Sequence, residues 1–193
     1  MKNFDYLKDN PHLAALHRYC NTAEMYQICD PEKSTINARR ALEWLVRTLY
    51  ELKNIEVPER TALRTLLDGE PFRQFMGDDR LMMAVHYIRK VGNSSAHLGE
   101  VTRRHSFFAL LNLHNVVGAT LVKLRVYDAF PEFDKTLIPA TPEIHIEPDR
   151  QPQPTPAFVE SVDMTQVADA PAEGHALDLS EAETRKYFID IML

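Results

Sequence analysis

The sequence predicts an all-α fold, and three observations carry that prediction. Apolar residues recur at intervals of three and four through most of the first 126 residues. Almost no run in that region alternates with the period of two that a half-buried strand needs. The four prolines of the first 130 residues, Pro11, Pro31, Pro58 and Pro71, each stand where a helix could begin. Hydrophobic residues make up 45 % of the 193-residue chain, enough to build a packed core.

The elements follow in order. A first helix is expected from Pro11, capped by Asn10 or Asp9, to about Ile28. Asp30-Pro31-Glu32 restarts the chain as a second helix, roughly 31–53, with Ile36, Leu42, Leu45, Val46, Leu49 and Leu52 as its apolar stripe. A short helix from Glu59 to Leu67 closes at Asp68-Gly69, and a turn is expected around Phe72–Met76. A third long helix opens at Asp78, with Leu81, Ala84, Val85, Ile88 and Val91 on one face. The fourth, about Thr102 to Val126, is apolar nearly all round, which suits the centre of a bundle or a seam between two copies. Four long helices with short connections predict an antiparallel four-helix bundle with short extra helices, spanning residues 1–128.

Composition changes sharply after the bundle. Seven prolines fall between Pro131 and Pro156, and residues 131–193 hold 13 acidic and 4 basic side chains. That leaves 15 acidic and 18 basic before residue 131, so an overall net charge of −6 hides a folded part at about +3. Residues 129–178 are expected to form a Pro-rich acidic linker, extended and poor in secondary structure. Leu179-Ser180-Glu181-Ala182-Glu183 then reads as a capping box opening one C-terminal helix over 179–193. No apolar run reaches the roughly 18 residues of a membrane span, and the N-terminus has no signal pattern, so a cytoplasmic protein without membrane contact is expected. Cys20 and Cys29 form neither a zinc motif nor a disulfide framework.

The densest polar cluster is Ile88-Arg89-Lys90-Val91-Gly92-Asn93-Ser94-Ser95-Ala96-His97. Arg89, Asn93 and His97 are spaced by four, so on a continuous helix they form a slanting stripe that drifts about 40° per step. Gly92 costs about 1 kcal/mol inside a helix, which points to a break or to the close approach of another backbone. Arg89 could clamp a phosphate, Asn93 position it, and His97 carry a proton. The structural alternative pairs Arg89 with Glu43 or another bundle carboxylate and leaves Asn93 and His97 as helix-end caps. Lys90, Arg103 and Arg104 extend the candidate anion-binding set. His86 lies near the same face; His105 and His114, nine apart, make no ligand pair, so no metal site is predicted. Trp44 and Tyr50 are assigned to packing.

Arg39-Arg40-Ala41-Leu42-Glu43, followed some fifty residues later by the Arg89–His97 stretch, resembles a bacterial domain family similar to the HEPN superfamily. That family sits at the N-terminus of type I restriction enzyme R subunits and related restriction helicases. The resemblance covers about residues 10–127 and implies a HEPN-like helical module. It also implies a metal-independent ribonuclease with Arg89 and His97 as catalytic residues, as one alternative. Seven residues separate Arg89 from His97, more than active members usually have, which favours binding over cleavage. Separately, Leu179 to Arg185 with Ile189-Asp190 resembles the opening helix of the R-subunit nuclease domain, in which Glu183 is either the capping-box acid or a peripheral member of the nuclease site. This implies a parent enzyme of phage defence that uses ATP and magnesium to restrict DNA beyond residue 193, while the present chain holds no cofactor. The expected function is therefore a largely non-catalytic interaction module. Its expected partners are DNA through the parent enzyme, RNA as the other nucleic acid, further restriction-modification subunits, or a second copy if the bundle only dimerises.

Overall fold

The computed structural model describes residues 2–97 and 101–141, with 94–97 described as backbone alone. The expected linker from 142 to 178 and the helix at 179–193, with Glu183, lie outside the described residues. Among the described residues the secondary structure is entirely helical: α1 (Ala14–Tyr26), α2 (Pro31–Leu52), α3 (Leu63–Asp68), α4 (Glu70–Met76), α5 (Asp79–His97) and α6 (Arg103–Lys123), with single 3₁₀ turns at Asp5–Leu7, Pro11–Leu13 and Lys135–Leu137.

Local chemistry explains the helix starts. The Asn10 carboxamide accepts from the His12 amide and the Asp30 carboxylate from the Lys33 amide, each before a proline that lacks an amide of its own. Thr102 caps α6: its hydroxyl accepts from the His105 amide, and the Thr102 amide donates back to His105 Nδ1. One expectation fails at Phe72–Met76, which is the helix α4 rather than a turn. Pro71 occupies an early helical position where its missing amide costs nothing, and Gly77 ends the helix. The short helix also begins at Leu63 rather than Glu59, because 57–62 runs as a loop that Arg47 holds by donating to the carbonyls of Glu59 and Thr61.

The four long helices form a bundle in which α2 packs against α1, α5 and α6. Of its predicted stripe, Leu42, Leu45, Val46 and Leu49 are buried, while Ile36 and Leu52 near its two ends are only part-buried; Ala38 and Ala41 complete the buried face. Each large apolar side chain so enclosed contributes about 1.5–3 kcal/mol. Trp44 is in the core, and the Tyr50 hydroxyl donates to the Leu66 carbonyl at 2.8 Å, fastening α3 to α2. Cys20 is buried and Cys29 exposed, both as thiols. α6 is the described helix long and apolar enough by composition to cross a membrane, but it lies packed in the core with Leu110, Leu113, Val116, Val117 and Leu121 buried.

Residues 129–141, the first part of the expected linker, lie against the bundle as an irregular strap. Phe130 covers Gly118 of α6 so closely that a Cβ there would stand 2.2 Å from its ring. Phe133 packs edge-on against Phe107 and His114. The Asn3 side chain and the Asp134 backbone exchange two hydrogen bonds, at 2.7 and 2.9 Å, joining the strap to the N-terminus. Asn3 also donates twice to the buried Glu24 carboxylate, which offsets part of the upward pull of burial on that acid. Under the strap the fully buried His114 ring is enclosed by Phe4, Tyr6, Phe130 and Phe133.

Candidate nucleic-acid interface

α5 runs unbroken through Gly92. The glycine is there because α2 crosses in contact: a Cβ on Gly92 would stand 2.6 Å from Arg39 Cβ and 2.9 Å from the Thr35 carbonyl oxygen. Of the two explanations its position allowed, close approach is the one realised. The crossing sets Arg39 of α2 beside the turn of α5 that carries Arg89, three residues before Gly92. The Nε atoms of Arg39 and Arg89 are both buried without a hydrogen-bond partner. A buried donor left unpaired costs about 1–3 kcal/mol, more when it is charged.

Glu43 does not relieve Arg89. It is shared along its own helix by Arg39 at 3.8 Å and Arg47 at 3.2 Å. Among the described residues Arg89 has no carboxylate partner, so the Arg89–Glu43 pair of the structural alternative is not formed. Arg39 lies at this crossing and Arg89 one turn before it on α5, while Glu43 is shared with Arg47, which also donates to loop carbonyls. The arrangement is short of negative charge, and a phosphate is a natural acceptor for forked guanidinium donors.

The other sequence-predicted residues fall around this point. Lys90 and Asn93 are exposed on α5, and Arg103 and Arg104 on the first turn of α6. His97 is the last residue of α5, and its side chain lies outside the described residues. Helical continuity places the His97 backbone about 12 Å along the axis from Arg89 and about 80° around it. The stripe therefore exists at the backbone level, but its two ends do not sit side by side.

Tertiary contacts bring further cations to the same end of the bundle. Gln27, just past α1, donates to the Arg103 carbonyl at 2.9 Å, and the Ser106 hydroxyl donates to the Gln27 carbonyl at 3.0 Å. The α1–α2 turn therefore abuts the start of α6, while the first half of α2 meets the last turns of α5. Among the described residues Lys33, Arg39, Arg40, Arg89, Lys90, Arg103 and Arg104 share this end with Asp30, Glu32, Glu43 and the buried Glu24. Near the opposite end of α5, a groove of about 690 Å³ is lined by Asp68, Glu70, Asp78 and Asp79 with Arg73 and His86. His86 Nε2 stands 3.6 Å from Asp68 there. A cluster of cations at one end of a bundle steers an anionic partner toward it.

No family model, curated protein or solved structure matches this chain. The site rests on its geometry. No described group of three or more His, Cys, Asp or Glu side chains is arranged to hold a metal ion. Sequence reasoning placed Arg89 in the site but not Arg39, which appeared only in the Arg39–Glu43 motif. The signal that could have found it was Gly92, since a glycine inside an apolar-striped helix marks the backbone it touches.

Proposed function

We propose that this chain is a nucleic-acid-docking module with a HEPN-like four-helix bundle. It would hold a backbone phosphate between Arg39 and Arg89, while Lys90, Asn93, Arg103 and Arg104 guide the strand across the same end. In this reading it is the cytoplasmic N-terminal module of a type I restriction enzyme R subunit. It docks the enzyme onto nucleic acid or partner subunits and leaves ATP- and magnesium-dependent DNA cleavage to downstream domains. The observation that carries the reading is the pair of buried, unpartnered guanidinium Nε atoms flanking the Gly92 crossing. Arg39 has only the 3.8 Å contact with Glu43, and Arg89 has no carboxylate partner among the described residues, which leaves both able to take a phosphate.

The separation of Arg89 and His97 along α5 favours binding over cleavage. General acid–base chemistry needs its proton carrier within hydrogen-bond reach of the atom it serves. The test is a titration of labelled single-stranded RNA and duplex DNA at low salt against the wild type, Arg39→Ala, Arg89→Ala and His97→Ala. Each arginine substitution should weaken binding about ten- to a hundredfold, as expected for loss of a charged hydrogen bond. Equal binding by all four folded proteins would overturn the proposal. RNA cleavage in EDTA that Arg89→Ala and His97→Ala both abolish would replace it with the ribonuclease. A dimer with no nucleic-acid affinity would replace it with a dimerisation bundle.

A further inference from the structure

The two large apolar side chains most exposed on the described surface are Met83 at 66 % and Phe108 at 40 %. They stand at one level of the α5/α6 hairpin. The Tyr87 hydroxyl reaches toward the His105 carbonyl at 3.5 Å, which sets the register of the two antiparallel helices. Met83 is one turn before Tyr87, and Phe108 about one turn after His105, so both lie on the same side of that contact. The Arg104 guanidinium sits 5.9 Å from the centre of the Phe108 ring, and its charge offsets part of the rise that burial imposes on the Tyr87 phenol. Phe107 meets Phe108 edge-on at 5.7 Å, so Phe108 is braced from one side.

We infer that Tyr87, Arg104 and Phe108 form a stacking platform for an unpaired base of a single-stranded nucleic acid. This rests on the reading that the basic end takes nucleic acid, and it names which kind. An exposed, braced aromatic ring next to a guanidinium offers an unpaired base two π-stacking surfaces while Arg103 and Arg104 meet its phosphate. A duplex cannot use it, because each of its bases is already stacked on both faces. The choice of a nucleic acid over a protein partner rests on Arg103 and Arg104 beside the ring, whose charge complements a phosphate backbone.

The test uses the full chain with a labelled twelve-nucleotide single strand and the matching duplex, at one low salt concentration. Phe108→Leu keeps apolar bulk and removes the π face, so it should weaken single-strand binding about tenfold and leave duplex binding unchanged. Phe108→Tyr should bind as wild type. A 2-aminopurine placed in the strand should be quenched by the wild type and less so by Phe108→Leu, a readout of stacking independent of affinity. Unchanged single-strand affinity and quenching in Phe108→Leu, while Arg89→Ala still weakens both ligands, would overturn the platform and leave the docking module standing. No binding of either strand form by the wild type would overturn both. Loss of a wild-type dimer in Phe108→Leu at unchanged strand affinity would assign the patch to a second copy of the chain.

Discussion

Gly92 and Arg39 meet where α5 crosses α2, and a methyl group on the glycine would lie 2.6 Å from Arg39 Cβ. Neither that Cβ nor the Thr35 carbonyl at 2.9 Å is the free end of a flexible side chain, so the helices must separate to admit one. Gly92→Ala should therefore destabilise the bundle by about 1–3 kcal/mol, although alanine is intrinsically the better helix former by about 1 kcal/mol. The denaturant midpoint of the variant checks this, and a midpoint above wild type would show that the crossing is looser than described. The same substitution should weaken phosphate binding, since it moves Arg39 away from Arg89.

The strap gives a second prediction. Asn3 exchanges two hydrogen bonds with the Asp134 backbone and also holds Glu24. Asn3→Ala leaves a buried carboxylate with fewer donors and should cost about 2–3 kcal/mol. Amides such as Asp134 N–H should then lose their protection from hydrogen exchange. Protection that persists in Asn3→Ala would mean that Phe130 and Phe133 alone hold the strap.

His114 predicts how stability responds to acid. Burial in the aromatic cage lowers its pKa from the usual imidazole value, with the Asn3 backbone opposing the shift. The unfolded chain then binds the proton first as pH falls, so the stability this group contributes is intact above about pH 6.5 and declines below it. The decline is at most about 1.4 kcal/mol per pH unit down to the folded value. His17, also lowered by burial, adds the same sign. Glu24, raised by burial, has the opposite sign and loses stability as pH rises through its folded value. His114→Phe isolates the effect: the difference in unfolding free energy between variant and wild type should grow in the variant's favour from pH 7.5 to 5. A difference independent of pH would show that the imidazole is not kept neutral by the cage.

The basic end predicts a salt dependence. Each phosphate contact contributes about 0.7–0.9 to the slope of log affinity against log salt. Arg89→Ala should lower that slope by about one contact for single strands and duplexes alike. Phe108→Leu should weaken single-strand binding with no change of slope, because stacking releases no counterions. Equal slopes for wild type and Arg89→Ala would remove Arg89 from the phosphate contact.

The sequence by itself determined the helices and the core. Periodicity at three and four, with Asn10-Pro11 and Asp30-Pro31 as starts, is a local property that backbone geometry reads directly. It therefore located α1, α2, α5 and α6 to within a few residues and put Trp44 and Tyr50 in the interior. It missed α4, because Gly69, Pro71 and Gly77 around so short a segment look like a turn until the segment has Phe72 and Met76 to bury. Only the tertiary structure decided which polar groups meet. That Arg39 stands against Gly92, one turn from Arg89, that Glu43 turns to Arg47, and that Phe130 and Phe133 draw residues 129–141 back onto α6 all depend on how helices far apart in sequence cross. A few long-range contacts set those choices, and no period in the chain encodes them.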